Sequence, residues 1–176
     1  MCIRDSIGGG SNSSKATTIN ITGGTIKNAT GTDGGAGIGS GYIGGSSTVN
    51  ISGDAELKDV RGGNLAAGIG SGYGSDKVDV VIDGGTINAT GGDSAAGIGS
   101  GHNSRSSVII KSGTVNAAGN KHSSDGSSGI GGNYTDVTIS GGNIQATGYD
   151  TGAGIGGSYS GDSSKITITG GTITAN

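Results

Sequence analysis

Five residues that can make flat, ring-mediated contacts stand at one fixed offset in this chain. Tyr42, Tyr73, His102, Tyr134 and Tyr159 each follow, by four positions, the isoleucine of a recurring Gly-Ile-Gly whose isoleucines are Ile38, Ile69, Ile98, Ile130 and Ile155. Four of the chain's five tyrosines fall in that column. An aromatic face packs the apolar face of a sugar ring while hydroxyls bond alongside, so a stack of such rings is a candidate glycan-binding strip. Rings stacked on each other would instead cover a glycine-rich corner and strengthen the sheet. Packing is the plainer of the two readings.

A second column stands five positions before the same isoleucines: Asp33, Asn64, Asp93, Asp125 and Asp150. Carboxylates repeated every few ångströms repel unless compensated. Calcium is the candidate cation, because hard cations favour oxygen-rich loops. Asp33, Asp93, Asp125 and Asp150 would be its ligands. Against this, a good calcium site needs roughly six to eight oxygens, and each loop offers a single acidic position. Asp and Asn also serve equally in turns, where they bond backbone amides. The presence of Asn64 favours the turn role, and no cofactor is required by the sequence.

Other chemistries find little support. Gly39-x-Gly41-x-x-Gly44 has the spacing of a dinucleotide fingerprint but no strand–helix–strand unit around it. His102 and His122 stand without a metal-ligand pattern, and no Ser-His-Asp set follows from spacing alone. Polysaccharide-cleaving chemistry needs clustered carboxylates, or a base with cations, on one outer face. Glu56, Lys58 and Arg61 come together on one irregular unit but are not matched on its neighbours, which reads as a solvated edge. The chain is therefore expected not to be an enzyme, with a fragment of a polysaccharide-degrading one as an alternative. Ice binding is another, since Thr25, Thr86, Thr114 and Thr172 share one outward position. Glu56 and Asn143 interrupt that rank, and Lys27, Lys58 and Gln145 roughen the next. The Asn-x-Ser/Thr triplets at Asn12, Asn20, Asn28, Asn50, Asn88 and Asn133 are read as outward strand positions rather than glycosylation acceptors.

These columns require elements that repeat. The 176 residues include 43 glycines, no proline, no tryptophan and no phenylalanine, with 13% charged residues. Such a composition reads as disordered unless a strict period lets short aliphatics build identical layers. The period exists. Aliphatic strands centred on Ile21, Ile51, Ile82, Ile110, Ile139 and Ile168 recur every 28 to 31 residues. Within each unit apolar and polar residues alternate, as in Ile19 and Ile21, Val80 and Ile82, Ile87 and Ala89, or Ala96 and Ile98. Period two over β-branched residues, bounded by glycine, means strands.

Three short strands per unit predict an all-β, single-stranded right-handed parallel β-helix, a β-solenoid of about six coils of ~30 residues. Isoleucine, valine and leucine columns, with a column of Ala and Ser, should face inward. Length variation should sit around Asn120–Ser123 and after each Gly-Ile-Gly. A six-residue period, a tandem Gly-Gly-x-Gly-x-Asp and a four-stranded blade of ~40–50 residues are all missing, which sets aside the other repeat architectures.

Residues 1–6 hold the only Met and the only Cys, match nothing downstream, and read as a junction segment. Residues 7–176 read as one solenoid domain, an uncapped piece of a longer array whose partners include further repeats of the same chain. The net charge of −3, with scattered basic residues, gives no nucleic-acid footprint. No apolar run approaches a membrane span.

The unit from Gly84 to Gly101, Gly-Gly-Thr-Ile-Asn-Ala-Thr-Gly-Gly-Asp-Ser-Ala-Ala-Gly-Ile-Gly-Ser-Gly, resembles the glycine-rich β-helix repeats of large cell-surface and adhesin-like proteins of Gram-positive bacteria. Some of these are described as carbohydrate-binding. The likeness runs from Ile7 to Asn176. It implies a secreted, extracellular or cell-surface setting, a structural or adhesive role and a polysaccharide or host or cell-wall glycan as partner. It brings no catalytic residues. The handedness of the helix rests on this likeness and on the long, irregular coil. A passive spacer that displays other domains is the competing role.

Overall fold

Alternation in the sequence becomes alternation in burial. Along Val78–Thr90 the residues Val78, Val80, Ile82, Ile87 and Ala89 are buried, while their neighbours face outward. The computed structural model describes residues 6–121, 126–158 and 165–176, and in it every named strand pairs in parallel with its neighbour one turn along the chain. The protein is an all-β parallel solenoid. Residues 1–5 of the leading segment, Tyr159 and Asp125 lie outside the described residues.

Two sheets run along the solenoid. The narrow one is built from two-residue rungs: Ile7–Gly8, Ile38–Gly39, Ile69–Gly70, Ile98–Gly99, Ile130–Gly131 and Ile155–Gly156. Isoleucine stands on isoleucine at every step of this ladder. The broad sheet carries Thr17–Ile21, Ser47–Arg61, Val78–Thr90, Ser106–Ala118, Thr135–Ile139 and Ile166–Ile168 in order. Its register places Ile21, Ile51, Ile82, Ile110, Ile139 and Ile168 on one column, as the spacing predicts. Six strand copies enclose about five complete turns, so the expected six coils reduce to five and part of another.

The expected three short strands per coil also need adjustment. In the three central turns the second and third strands are one strand of 13 to 15 residues, bent at a glycine corner and still paired there. Ser52 pairs with Asp83 and Gly53 with Gly84 across that corner. In the outer turns the corner opens, leaving separate strands such as Thr135–Ile139 and Asn143–Thr147. Ser47–Arg61 carries two register shifts that absorb its extra residues.

Inward columns fill the lumen. Ile38, Ile69, Ile98 and Ile130 meet Ile51, Ile82, Ile110, Ile139 and the column Leu57, Ile87, Val115 and Ile144, all essentially without solvent contact. Each such side chain contributes roughly 1.5–3 kcal/mol by leaving water. Ala36, Ala67 and Ala96 and Ser40, Ser71 and Ser100 form the small-residue columns beside them. The serines are not idle there: Ser40 Oγ donates to Ser75 Oγ at 2.8 Å and accepts the Gly72 amide at 2.9 Å.

The close stacking of rungs explains the Gly-Ile-Gly signature. The second glycine sits at φ between +124° and +143° in all six rungs, a region L side chains rarely adopt. A Cβ on Gly70 would lie 1.9 Å from the carbonyl oxygen of Gly99. Only glycine fits.

Candidate functional site

Tyr42, Tyr73 and His102 of the predicted ring column lie beside Asp33 and Asn64 of the acidic one, and the main chain ties them together. The Tyr73 amide donates to Gly34 O at 2.7 Å and the His102 amide to Leu65 O at 2.9 Å. Gly34 and Leu65 each directly follow a member of the acidic column, so the Tyr73 and His102 side chains each start one turn away from an Asp or Asn. A groove of about 360 Å³ runs between them, lined by Asp33, Gly34, Tyr42, Asn64, Leu65 and Tyr73.

The rings stack. Tyr42 and Tyr73 have centroids 5.5 Å apart and planes 9° from parallel; Tyr73 and His102 are 5.8 Å apart at 6°. Both faces of Tyr73 are thereby covered, which leaves that ring its edge and hydroxyl. Gly34 makes room for this arrangement, since a Cβ there would meet Tyr42 Cδ2 at 2.5 Å. His102 Nδ1 is buried and without a hydrogen-bond partner among the described residues.

Tyr134 leaves the column. Thr135 pairs with Ser106, and Ile130 with Ile98, so the connection from Ile130 to its strand is three residues shorter than the one from Ile98. The offset of four then falls on the left-handed turn position, φ 48° in Tyr134, which Asn103 occupies in the previous turn at φ 54°. Its ring has the Arg105 guanidinium 5.2 Å from the centroid, a cation–π contact. Asn133, read from the sequence as outward, is instead 4% exposed and accepts the Ser158 hydroxyl at 2.6 Å.

The acidic column occupies turns. Gly35 N–H donates to Thr32 O, Ala66 to Gly63 O, Ala95 to Gly92 O and Gly152 to Tyr149 O, at 3.0 to 3.3 Å. Asp33, Asn64, Asp93 and Asp150 are the second residues of these four turns. Asp33 and Asp150 take positive φ themselves, 52° and 54°, a conformation that Asp tolerates. In the other two turns the left-handed residue is the next one, Leu65 or Ser94. Asn64 stands between Asp33 and Asp93, which removes the like-charge repulsion along those three turns. The Asn120 amide donates to the Asp93 carboxylate. Among the described residues no group of three or more His, Cys, Asp or Glu is placed to hold a metal ion.

The remaining surface features fall where the register puts them. Thr25, Glu56, Thr86, Thr114, Asn143 and Thr172 share one outward rank. Glu56 is half-exposed, takes the Thr25 hydroxyl at 3.0 Å and pairs with Lys58 at 3.3 Å. Arg61 pairs with Asp59 at 2.8 Å. These are exposed ion pairs worth little individually.

Parallel rungs, inward aliphatic columns and glycine-locked corners define a β-solenoid built from one repeated supersecondary unit. The family model described as beta helix repeat matches residues 19–42, 80–102, 108–134 and 137–159, more than half of the chain, and the protein belongs to that family. The stretch skipped between residues 42 and 80 holds the longest strand and its two register shifts. No curated protein and no solved structure matches the chain.

Proposed function

We propose that this β-helix repeat segment acts as an adhesive element of a bacterial surface protein, outside the cell, and that it contacts polysaccharide along the groove between its aromatic and acidic columns. The observation that carries the reading is the juxtaposition of Asp33 and Asn64 with Tyr42 and Tyr73 around one groove of about 360 Å³. Phenol hydroxyls, a carboxylate and an amide give a sugar chain hydrogen-bonding partners of both kinds. Ring edges and Leu65 give it apolar contact. Because Tyr73 is covered on both faces, the sugar would lie along the ring edges rather than flat upon them.

The competing role is a passive spacer. It is favoured by the same ring geometry, since the aromatic faces are spent on coil-to-coil packing. A screen of the full chain against soluble and insoluble polysaccharides separates the two, with a Tyr42→Phe/Tyr73→Phe double variant alongside. The double variant keeps the stack and removes the hydroxyls. Binding by the native chain that is lost in the variant supports the groove. Binding to nothing, together with a cooperative β-type melt, leaves the spacer.

A further inference from the structure

We propose that Tyr42 and Tyr73 form a built-in site for oxidative cross-linking, where a dityrosine bond staples adjacent turns of the solenoid. The two rings come from successive rungs, lie 5.5 Å apart at centroid and are 9° from parallel. Their rung-to-rung position is fixed by the Ile38–Ile69 pairing and by the Tyr73 amide bond to Gly34. Holding two reactants within reach converts a bimolecular encounter into an effectively unimolecular one. Both side chains are half-buried, so an oxidant can reach the ring edges while the neighbours keep the rings in place. The other ring stacked on Tyr73 is His102, which has no phenol to compete for this coupling.

The oxidant is hydrogen peroxide turned over by a haem peroxidase. Each phenol gives up one electron and its hydroxyl proton and becomes a phenoxyl radical. The two radicals join through ring carbons ortho to oxygen. The hydrogens on those carbons then move to the two oxygens as both rings regain aromaticity. The peroxide accepts the two electrons and two protons and leaves as two waters. One C–C bond forms, and it spans a loop that runs from one turn to the next.

The test treats the dilute full chain with hydrogen peroxide and peroxidase, then follows dityrosine fluorescence and maps peptides by mass spectrometry. Tryptic cleavage after Lys27, Lys58, Arg61 and Lys77 places the two tyrosines on separate peptides. The expected product is a monomeric chain with those peptides joined and lighter by two hydrogen atoms, melting above the untreated chain. Tyr42→Phe and Tyr73→Phe, each checked for an unchanged β-type circular dichroism spectrum, should both lose that product. Tyr134→Phe should retain it. Absence of dityrosine, bonds formed only between chains, mapping to other tyrosines, or a yield unaffected by Tyr42→Phe would each overturn the proposal.

Discussion

Tyr42 and Tyr73 are 31 residues apart in the chain and face each other at 5.5 Å, with ring planes 9° from parallel. The contact exists because one turn of the solenoid consumes just that length, and it recurs between Tyr73 and His102 at 5.8 Å. Stacked aromatic pairs add roughly 0.5–1.5 kcal/mol beyond the area they bury. Tyr73→Ala deletes both pairs and should cost about 1–3 kcal/mol in a denaturant melt, whereas Tyr73→Phe should stay close to the native chain. Equal midpoints for the alanine variant and the native chain would mean the rings are not coupled.

Gly70 and Gly10 make a paired test of the corner geometry. Gly70 sits at φ +133° with the Gly99 carbonyl oxygen 1.9 Å from where a Cβ would go, and Gly10 has nothing within 4 Å. Gly70→Ala should lose ~3 kcal/mol or more, because both the backbone region and the rung spacing forbid it. Gly10→Ala should stay within about 0.5 kcal/mol. Similar thermal midpoints for the two variants would contradict the ladder of close-packed glycines.

Ile43 is an exposed β-branched residue at φ 45°. The same turn position holds Asn12, Gly74 and Asn103 in other turns, residues that adopt left-handed backbone readily. Ile43→Asn should therefore stabilise the chain by about 1 kcal/mol. A lower midpoint for Ile43→Asn would show that the isoleucine makes a contact that outweighs its backbone strain.

Asn133 gives a prediction in the opposite direction. It is buried, its side chain accepts the Ser158 hydroxyl, and its own carbonyl accepts the Ser100 hydroxyl at 2.6 Å. Asn133→Ala leaves Ser158 without that acceptor and should cost roughly 1–3 kcal/mol. Asn50, whose amide donates to Asn20 on the outside, should tolerate alanine with a much smaller loss.

Calcium should not matter to the fold. The acidic column supplies one side chain per turn, is interrupted by Asn64, and occupies turn positions closed by backbone bonds. Thermal midpoints in excess EDTA and in millimolar calcium should coincide. A rise of several degrees with calcium would instead mean that Asp33, Asp93 or Asp150 ligates it.

Much of this protein is legible in the spacing of its residues. The register of Ile21, Ile51, Ile82, Ile110, Ile139 and Ile168 follows from that spacing alone, because a parallel solenoid stacks each turn directly on the last and β alternation fixes which residues point inward. The interrupted threonine rank and the Gly-Ile-Gly ladder follow in the same way. Counting from one anchor fails only where a connection changes length. Tyr134 is the case in point, since a turn three residues shorter carries it from the ring column to the left-handed corner.

The tertiary structure alone decided the rest. Composition cannot tell whether aromatic faces meet each other or the solvent; the rung spacing does, and it turns the faces inward on their neighbours. Nor can it tell that Asp33 bends the backbone itself while Asn64 hands that strain to Leu65. Asn133 reads as another polar strand residue until the short turn buries it. The sequence determined which residues share a column wherever the connection keeps its length, because that depends on period. The direction a side chain takes within its column depends on how many residues the nearest turn has to spend, and only the folded chain sets that.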